Sequence, residues 1–304
     1  MEQGPEYLKT IFACPVCSST DILPFKKSSF DADSLSEEHI KITDSDYGST
    51  WELCRCLNCT HVFANPAPSP ALIQSLYSQV KDPDYEEEAQ GRGKNFRRIL
   101  SYLEKICPSQ GTLLDVGAAT GILVRLAEEL GWEAQGIEPS SWAVRYARDK
   151  YGLALFEGSF ETVSFEPGAY SAVTMVDFIE HTSHPAENME KAFRILKPGG
   201  ILCLVTPDIG SLAARLADQK WWHFRPGHLN YFTARSLNYL LEHTGFVVQK
   251  KRKYSWTFSA HYLISRKKGL RFLFKNSRMA LFWRKIPIKL ALADSMEIYA
   301  KKPE

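Results

Sequence analysis

From residue 112 onward, short apolar runs alternate with segments of helical periodicity, and this alternation constrains the fold more than any other feature of the chain. We predict buried strands for TLLDV, WEAQGIE, LALF, SAVTMVDF and GILCLVTP, and helices for GILVRLAEELG, SSWAVRYARDKYG and AENMEKAFRIL. Strands that alternate with helices of this length form βαβ units around a parallel sheet. FVVQKKRKY and SMEIYAKK are predicted as a later strand pair. The sequence therefore predicts an α/β fold.

The size and composition allow a large α/β domain with a smaller module beside it. The chain has 304 residues, of which 44% are hydrophobic and 24% are charged, as is ordinary for soluble globular proteins. No apolar stretch approaches the ~18 residues that a membrane span needs, and the first ten residues lack the pattern of a secretory signal. Five of the seven cysteines precede residue 60. An odd cysteine count without such a signal favours a reducing cytoplasm over a disulfide framework.

The segment LLDVGAATG at 113–121 places small residues between a predicted strand and a predicted helix. Free backbone N–H groups and the positive end of the helix dipole favour a ligand at such a turn. The dinucleotide fingerprint has glycine at its first, third and sixth positions, whereas this turn has Ala119 and Ile122 at the latter two. Asp115 would repel a pyrophosphate and attract an ammonium group. Glu138, at the end of the second strand, suits a ribose diol, which a dinucleotide and a smaller cofactor with an ammonium group can both carry. A tight turn without a ligand is the alternative.

Four motifs, LLDVGAATG, GIEPS, AVTMVDFIEH and LKPGGILCLVTP, occur in the order and spacing of one family. Through them the chain resembles the class I S-adenosylmethionine-dependent methyltransferases, over roughly residues 95–250 and a closing strand near 295–302. The resemblance implies a Rossmann-like, seven-stranded and mostly parallel sheet flanked by helices, with S-adenosylmethionine as the cofactor. The cofactor-binding residues that it implies are Asp115, Gly117, Ala118, Gly121, Glu138, Asp177 and Phe178.

One position departs from the pattern of this family. After the third strand, the family usually has an acid that reaches the adenine amino group, but the segment EGSFE places Ser159 there. We therefore expect Ser159, Phe160 or Glu161 to supply the adenine contact.

Two C-x-x-C pairs, CPVC at 14–17 and CLNC at 56–59, indicate a metal site near the start of the chain. Two such pairs complete a tetrahedral Zn²⁺ shell that leaves no position open for catalysis. The sequence predicts a small four-cysteine, zinc-ribbon-like module whose structural zinc is bound by Cys14, Cys17, Cys56 and Cys59. Cys54 is expected beside the site without ligating, His61 is a less favoured substitute ligand, and a loop or hairpin is expected between the pairs. A cysteine-rich module ahead of such a core also resembles bacterial sugar methyltransferases.

Methyl transfer to a hydroxyl or a carbon acid requires a group that accepts a proton. The segment DFIEHTSHP follows the fourth strand of the core, at the sheet edge where such groups belong, and contains Glu180, His181 and His184. His181 is the preferred base because a neutral imidazole suits proton transfer near neutral pH, and Glu180 is a further catalytic candidate. A histidine that only caps or packs the loop is the alternative.

The segment WWHFRPGHLNYFT at 221–233 is rich in aromatic side chains, and we place an acceptor loop at 219–232. Aromatic faces bind sugars or other rings, and an arginine can hold a phosphate or a carboxylate. The candidate acceptor-binding residues are Trp222, Arg225, His228 and Tyr231. His228 is also a candidate base, in place of His181 or beside it. The alternative is an aromatic lid that packs on the core without touching a substrate.

Residues 250–289 contain 13 Lys and Arg and no Asp or Glu, although the whole chain carries a formal net charge of only +2. A solvated helical hairpin is one explanation. Another is a pair of helices on an anionic membrane surface, with apolar side chains at the lipid boundary, namely Phe272, Phe274, Leu281, Phe282 and Trp283. We find no nucleic-acid recognition motif beside this charge. We expect peripheral contact with an anionic surface or an anionic acceptor.

These features divide the chain into a zinc-binding module at 1–66, a helical connector at 67–110 and a methyltransferase domain at 111–304 that includes the basic insert. The predicted function is methylation of a sugar hydroxyl or carbon, on a nucleotide- or lipid-linked acceptor in glycan biosynthesis, by a cytoplasmic enzyme for which contact with a membrane surface is left open. O-methylation of a quinone or another small aromatic hydroxyl is the alternative, because DFIEH also resembles quinone-type O-methyltransferases. Outside this class, the alternative is a binding module that uses the fold without turnover.

Overall fold

The computed structural model of the chain describes residues 7–43, 47–107, 110–265 and 277–304. Its N-terminal part contains the short strands β1 (Leu8–Lys9), β2 (Ile22–Lys26), β3 (Leu53–Cys56), β4 (Val62–Ala64) and β5 (Ala67–Pro68). β2, β3 and β4 pair antiparallel, and β1 pairs with β5. The insert between β2 and β3 contains two short 3₁₀ helices, at Ala32–Ser34 and Glu37–Ile40.

Three helices follow this small sheet, namely α1 (Pro70–Gln79), α2 (Pro83–Glu87) and α3 (Ala89–Ile106). α1 begins at a local cap, because the Ser69 hydroxyl accepts a hydrogen bond from the amide of Leu72. Along α3, Ile99 and Leu103 recur at helical spacing and are fully buried. This apolar stripe packs α3 against the strands that follow.

The later part of the chain follows the alternation predicted from the sequence. Its first elements are β6 (Thr112–Val116), α4 (Ile122–Glu129), β7 (Glu133–Glu138), α5 (Ser141–Tyr151), β8 (Phe156–Glu157), β9 (Tyr170–Val176), α6 (Pro185–Ile195) and β10 (Leu196–Pro207). Its later elements are α7 (Leu212–Ala217), β11 (Asn230–Tyr231), α8 (Ala234–His243), β12 (Val247–Lys253), β13 (Trp256–Ser259), α9 (Ala260–Ser265), α10 (Ser277–Arg284), β14 (Pro287–Leu290) and β15 (Ser295–Lys301). The strand predicted for LALF is shorter than expected and begins only at Phe156.

Seven of these strands form one sheet in the order β12-β15-β10-β9-β6-β7-β8. The strands from β10 to β8 in this order are parallel, whereas β15 lies antiparallel between β12 and β10. The predicted Rossmann-like sheet and the predicted late strand pair are both confirmed.

Consecutive residues of the central strands pack on opposite faces of this sheet, as the two-residue period of a strand requires. Leu114, Val173 and Leu202 join the core shared with α6 and α8, whereas Leu113 and Ala172 join the core shared with α3 and α4. Burial of each such leucine contributes roughly 1.5–3 kcal/mol. Because helices cover both faces, the carboxyl edge of the parallel strands is where a ligand can enter.

β11 connects the predicted acceptor loop to the N-terminal sheet. It pairs antiparallel with β4, with Tyr231 opposite Val62. Trp221 is buried in the apolar cluster of this small sheet, and the indole of Trp51 donates a hydrogen bond to the carbonyl oxygen of Pro226 over 2.7 Å. The N-terminal module and the loop therefore share one core.

The basic segment at 250–289 contains strands as well as helices, and its first residues belong to the predicted late strand pair. Lys250–Lys253 belong to β12, where the antiparallel neighbour β15 satisfies their backbone groups. β13 and β14 pair antiparallel and enclose α9 and α10. Phe272 and Phe274, predicted at a lipid boundary, lie outside the described residues.

Several cations of this segment pair with acids from elsewhere in the chain. The Nζ atom of Lys253 lies 2.7 Å from Oδ2 of Asp208, and Nη2 of Arg284 lies 3.1 Å from Oε2 of Glu87. The one-sided charge of the sequence is thus partly balanced in the fold.

On α10, Leu281 and Phe282 are exposed and Trp283 is half-buried. Across the ranges that the structure describes, none of the helices combines the length and the apolar character needed to cross a bilayer.

Candidate active site

The turn between β6 and α4 has a defined backbone geometry. The amides of Gly117 and Ala118 both donate to the carbonyl oxygen of Ile137, each over 3.0 Å. Gly117 and Gly121 have φ angles of 76° and 79°, in the left-handed region that favours glycine. A Cβ atom at Gly121 would lie 2.7 Å from Cδ1 of Leu153, so this glycine is required for packing beneath the turn. The structure places Gly121 against Leu153 and outside the lining of the cavities described below, and its predicted cofactor contact stays a prediction.

Glu138 lies at the end of β7, and the backbone holds both of its carboxylate oxygens. The amide of Ala119 donates to Oε2 over 2.9 Å, and the amide of Ser140 donates to Oε1 over 2.8 Å. Burial raises the pKa of Glu138 to about 7, although the side chain lines a cavity. Each oxygen keeps a second lone pair, so this carboxylate can still accept hydrogen bonds from a diol.

Asp115 lies on the neighbouring strand β6, where the Thr174 hydroxyl donates to Oδ1 over 2.6 Å. Burial, reinforced by the charge of Glu138, raises the pKa of Asp115 to about 7. Within the described part of the chain, neither carboxylate has a cationic side chain as an ion-pair partner. Two buried acids near adjacent strand ends therefore form a site suited to a cationic, hydroxyl-bearing ligand.

The two acids line adjoining cavities at the carboxyl edge of the sheet. The larger cavity has an empty volume of about 1100 Å³, including space open to solvent, and the smaller about 440 Å³. Both are lined by Ile42, Tyr85, Gly117 and Asp177. Among the other predicted site residues, the larger cavity is lined by Glu138, Ser159, Phe160, Glu161, Phe178 and His181. The smaller is lined by Asp115 and Ala118. The structure thus brings the predicted cofactor residues together, with Gly121 outside.

The smaller cavity also contains a buried arginine that sequence analysis did not single out. Arg92 extends from α3, and its guanidinium carbon lies 3.8 Å from the centroid of the Tyr85 ring. Its Nε is buried without a hydrogen-bond partner among the residues described. Burial raises the pKa of Asp177, on the same cavity, to about 6, although His223 and Arg92 oppose the rise. A guanidinium with unused donors in such a cavity can hold a ligand carboxylate.

The N-terminal module supplies the wall that faces the sheet edge. Ile40 and Ile42, from the insert between the C-x-x-C pairs, line the larger cavity together with Tyr77 of α1. The guanidinium of Arg225 donates to the carbonyl oxygen of Lys41 over 2.8 Å and to that of Ile42 over 3.2 Å. The guanidinium thus holds this backbone segment, and the predicted binding of an anionic substrate by Arg225 stays a prediction.

Of the predicted catalytic residues His181, His228 and Glu180, His181 lines the larger cavity and the other two do not. Its Nδ1 atom lies 2.8 Å from the carbonyl oxygen of Gly227. A carbonyl only accepts, so Nδ1 carries the proton and the lone pair is on Nε2. Burial lowers the pKa of His181 to about 4, which keeps the ring neutral near pH 7.

Glu180 and His228 lie behind His181 as a buried pair. The ring centroids of His181 and His228 are 4.6 Å apart, and the three side chains each offer a ligating atom within 4.8 Å of the others. Burial raises the pKa of Glu180 and lowers that of His228. Oε1 of Glu180 and Nδ1 of His228 are buried without a hydrogen-bond partner among the described residues. This spacing suits a shared proton network and could also hold a metal ion.

Two other residues of the predicted acceptor loop do not line either cavity. Tyr231 is buried, with its hydroxyl 3.2 Å from that of Thr50. Trp222 is half-buried against the apolar cluster of the N-terminal sheet. Both rings pack on protein, and direct contact of Trp222 and Tyr231 with an acceptor stays a prediction. This part of the loop matches the packed lid considered as the alternative.

The four predicted zinc ligands, Cys14, Cys17, Cys56 and Cys59, form one cluster. The Sγ atoms of Cys14 and Cys59 are 3.6 Å apart, and those of Cys17 and Cys56 are 3.5 Å apart. A tetrahedral ion with Zn–S bonds of about 2.3 Å separates its sulfur ligands by roughly 3.8 Å, so the cluster fits zinc. Outside the cluster, Cys54 accepts a hydrogen bond from the side chain of Asn65, and His61 faces Asn230.

A family model described as a methyltransferase domain matches residues 85–251, which is more than half of the chain. The matched range includes helix α3 with Arg92, the two buried acids Asp115 and Glu138, and the loop that contains His181. The cysteine cluster lies outside it.

Curated relatives match shorter stretches. The ubiquinone biosynthesis O-methyltransferase of Albidiferax ferrireducens is 32% identical over 109 residues, which cover 33% of this chain and 43% of that protein. The sarcosine/dimethylglycine N-methyltransferase of Aphanothece halophytica is 27% identical over 140 residues, which cover 43% of this chain and 49% of that protein. The chain spans less than half the length of these relatives.

Among solved structures, the PH0226 protein from Pyrococcus horikoshii has a similar fold. The two align with a TM-score of 0.50 at 18% sequence identity, covering 75% of this chain and 95% of that one. At this identity, the similarity shows the shared fold alone.

Proposed function

The chain belongs to the methyltransferase domain family, and we propose that it transfers a methyl group from S-adenosylmethionine to the hydroxyl of a small ring-bearing acceptor. The observation that carries this proposal is the pair of buried acids, Asp115 and Glu138, on adjacent strands without a cationic side chain of the described residues paired to them. When bound, the cofactor supplies an electrophilic methyl group on a sulfonium. The residues of the chain bind and orient it, exclude water and accept a proton.

The residues of the two cavities fit the parts of this cofactor. In the smaller cavity, Asp115 would accept hydrogen bonds from an ammonium group, and Arg92 would pair with the carboxylate of the same amino acid. Glu138 has lone pairs for the two ribose hydroxyls. The candidates for the adenine contact line the larger cavity and are Ser159, Phe160 and Glu161.

His181 is the proposed general base, through its Nε2 atom. A neutral imidazole with a pKa of about 4 is a weak base, so it needs support while it carries the acceptor's proton. Glu180 and His228, within 4.8 Å of its ring nitrogen, can supply that support as positioning groups. They lie beside the imidazole and line neither cavity.

The wall beside His181 favours an acceptor with apolar ring faces. Ile40, Ile42, Ile73 and Tyr77 line the larger cavity on the side of the N-terminal module. Such side chains suit an aromatic hydroxyl better than a sugar, whose hydroxyl groups would lose their hydrogen bonds there. We therefore propose a quinone-type phenol as the acceptor, and the relative from Albidiferax ferrireducens, named a ubiquinone biosynthesis O-methyltransferase, supports this choice. The nucleotide- or lipid-linked sugar stays a prediction.

Titration calorimetry tests the cofactor assignment directly. We expect S-adenosylmethionine and S-adenosylhomocysteine to bind and NAD not to bind. Binding of NAD alone would overturn the assignment.

A second assay, with a methyl-labelled cofactor, tests the acceptor on a panel of catechols, quinols and nucleotide sugars. Transfer to nucleotide sugars alone would replace the phenol with a glycan acceptor. Cofactor binding without transfer to any member of a broad panel would favour a non-catalytic binding module.

A further inference from the structure

A second cleft lies between the N-terminal sheet and the segment that follows β10. It has an empty volume of about 1450 Å³, including space open to solvent. Residues of β2, β3, α7 and the start of α8 line it, and it shares no lining residue with the two cavities of the candidate active site. The cleft is therefore separate from the methyl-transfer site.

The side chains around this cleft are predominantly cationic. Four cations line it, namely Lys26, Arg55, Arg215 and Arg235. The acids that line it are Asp208 and Asp218. Both carboxylate oxygens of Asp208 already have partners outside this set of cations. One oxygen pairs with Lys253 over 2.7 Å, and the other accepts a hydrogen bond from the amide of Gly210 over 2.9 Å. Among the described residues that line the cleft, Asp218 is therefore the one acid available to offset the charge of the four cations.

Arg55 packs on an aromatic ring but has no ion-pair partner among the residues that the structure describes. Its guanidinium carbon lies 4.0 Å from the centroid of the Phe25 ring, and its Nε is buried without a hydrogen-bond partner in the described ranges. Arg55 and Arg215 line the same cleft, and burial together with the charge of Arg215 lowers the pKa of Arg55. A cation pair of this kind is favourable when an anion lies between its members.

Other contacts fix the rim of the cleft. Nη2 of Arg235 donates to the carbonyl oxygen of Asn58 over 2.7 Å, and Nζ of Lys26 lies 4.9 Å from the centroid of the Phe224 ring. The first residues of α8 line the cleft, so the positive end of that ten-residue helix adds to the field. The donors are in place before a ligand arrives, which lowers the entropy cost of binding.

We propose that this cleft binds a phosphate or diphosphate group, with Arg55 and Arg215 as its main contacts. Guanidinium groups bind phosphate oxygens through paired, charge-assisted hydrogen bonds. The phosphate could belong to a free nucleotide or to a lipid head group. The lipid source has structural support, because Leu212 and Leu216, on the same short helix as Arg215, are 71% and 78% exposed. The inference does not depend on the proposed methyl transfer.

The test measures binding of inorganic pyrophosphate to the full chain by calorimetry. We expect R55Q/R215Q to bind it at least about tenfold more weakly than the wild type, since each variant side chain loses a charge-assisted contact. The matched control is R148Q, which removes an exposed arginine that pairs with Asp149 on α5. It should bind like the wild type. Unchanged affinity for S-adenosylhomocysteine in both variants shows that the fold and the first site are intact.

Two further probes distinguish the source of the phosphate. Uridine diphosphate represents a free nucleotide, and phosphatidylcholine vesicles with and without phosphatidylglycerol represent a lipid surface. Binding of either that R55Q/R215Q weakens and R148Q does not supports the site and identifies the source. Binding of pyrophosphate that R55Q/R215Q leaves unchanged overturns the proposal, as does a failure of all three probes to bind the wild type.

Discussion

The hydroxyl oxygen of Tyr77 lies 2.8 Å from Nδ1 of His181. The same nitrogen lies 2.8 Å from the carbonyl oxygen of Gly227, so the connector helix α1 and the predicted acceptor loop meet at one atom of the imidazole. Because the carbonyl oxygen accepts a hydrogen bond from Nδ1–H, these contacts fix the tautomer as well as the orientation of the ring. The basic atom is Nε2.

The first prediction concerns His181. Replacing it with Asn removes the basic nitrogen, so we expect kcat to fall by about 10²–10⁴-fold, the range typical of a lost general base. Calorimetry should show unchanged affinity for S-adenosylhomocysteine. The matched control is His184→Asn, on an exposed side chain of the same loop, and it should retain activity. Full activity of His181→Asn would retire the proposed base.

The two buried acids predict how stability without the cofactor depends on pH. Burial raises the pKa of both Asp115 and Glu138 to about 7, above the values of the unfolded chain. Between about pH 4 and pH 7, the folded protein therefore holds protons that the unfolded chain has released. The resulting stabilisation is present below about pH 4 and is lost as the pH rises through 7, by about 1.4 kcal/mol for each unit of pKa shift.

An Asp115→Asn/Glu138→Gln double variant isolates this effect, because its amides do not titrate. Urea unfolding followed by fluorescence measures the free energy of unfolding of both proteins. The value for the variant minus the value for the wild type should increase as the pH rises from about 5 to about 8. The same variant should lose affinity for S-adenosylmethionine. Parallel pH curves for the two proteins would show that the acids are not buried as described.

Arg92 predicts a ligand-specific loss of affinity. Replacing it with Gln should weaken binding of S-adenosylhomocysteine by roughly 10–100-fold, because a charge-assisted contact of about 1.5–3 kcal/mol to the ligand carboxylate is removed. Methylthioadenosine, which lacks the amino-acid part, should bind as before. Calorimetry with both ligands measures the difference.

The control for this variant is Arg97→Gln on the same helix, where the side chain is 59% exposed and pairs with Glu129 at the surface. It should bind both ligands like the wild type. An equal loss of both ligands in Arg92→Gln would mean that Arg92 supports the fold of the cavity and does not contact the carboxylate.

The parts of the site that could be predicted from sequence depend on strand order. Asp115 and Glu138 each lie near the carboxyl end of a predicted strand, and consecutive parallel strands bring those ends together. Arg92 could not be predicted, because its helix has the pattern of an ordinary amphipathic connector and its burial depends on packing against Tyr85. The composition of its loop predicts a substrate contact for Arg225. The structure places its guanidinium against backbone carbonyls of a distant insert, a pairing that no local pattern reveals.

The last prediction concerns the cysteine cluster. Elemental analysis should find one zinc per chain in the wild type and in Cys54→Ser, because Cys54 lies outside the cluster. A Cys14→Ser/Cys59→Ser double variant should lose the metal and melt at a lower temperature. It should also bind S-adenosylhomocysteine more weakly, since the N-terminal module carries Ile42 on the wall of both cavities. A protein whose metal content, melting temperature and ligand affinity are the same in the double variant as in Cys54→Ser would contradict a structural zinc at these four thiols.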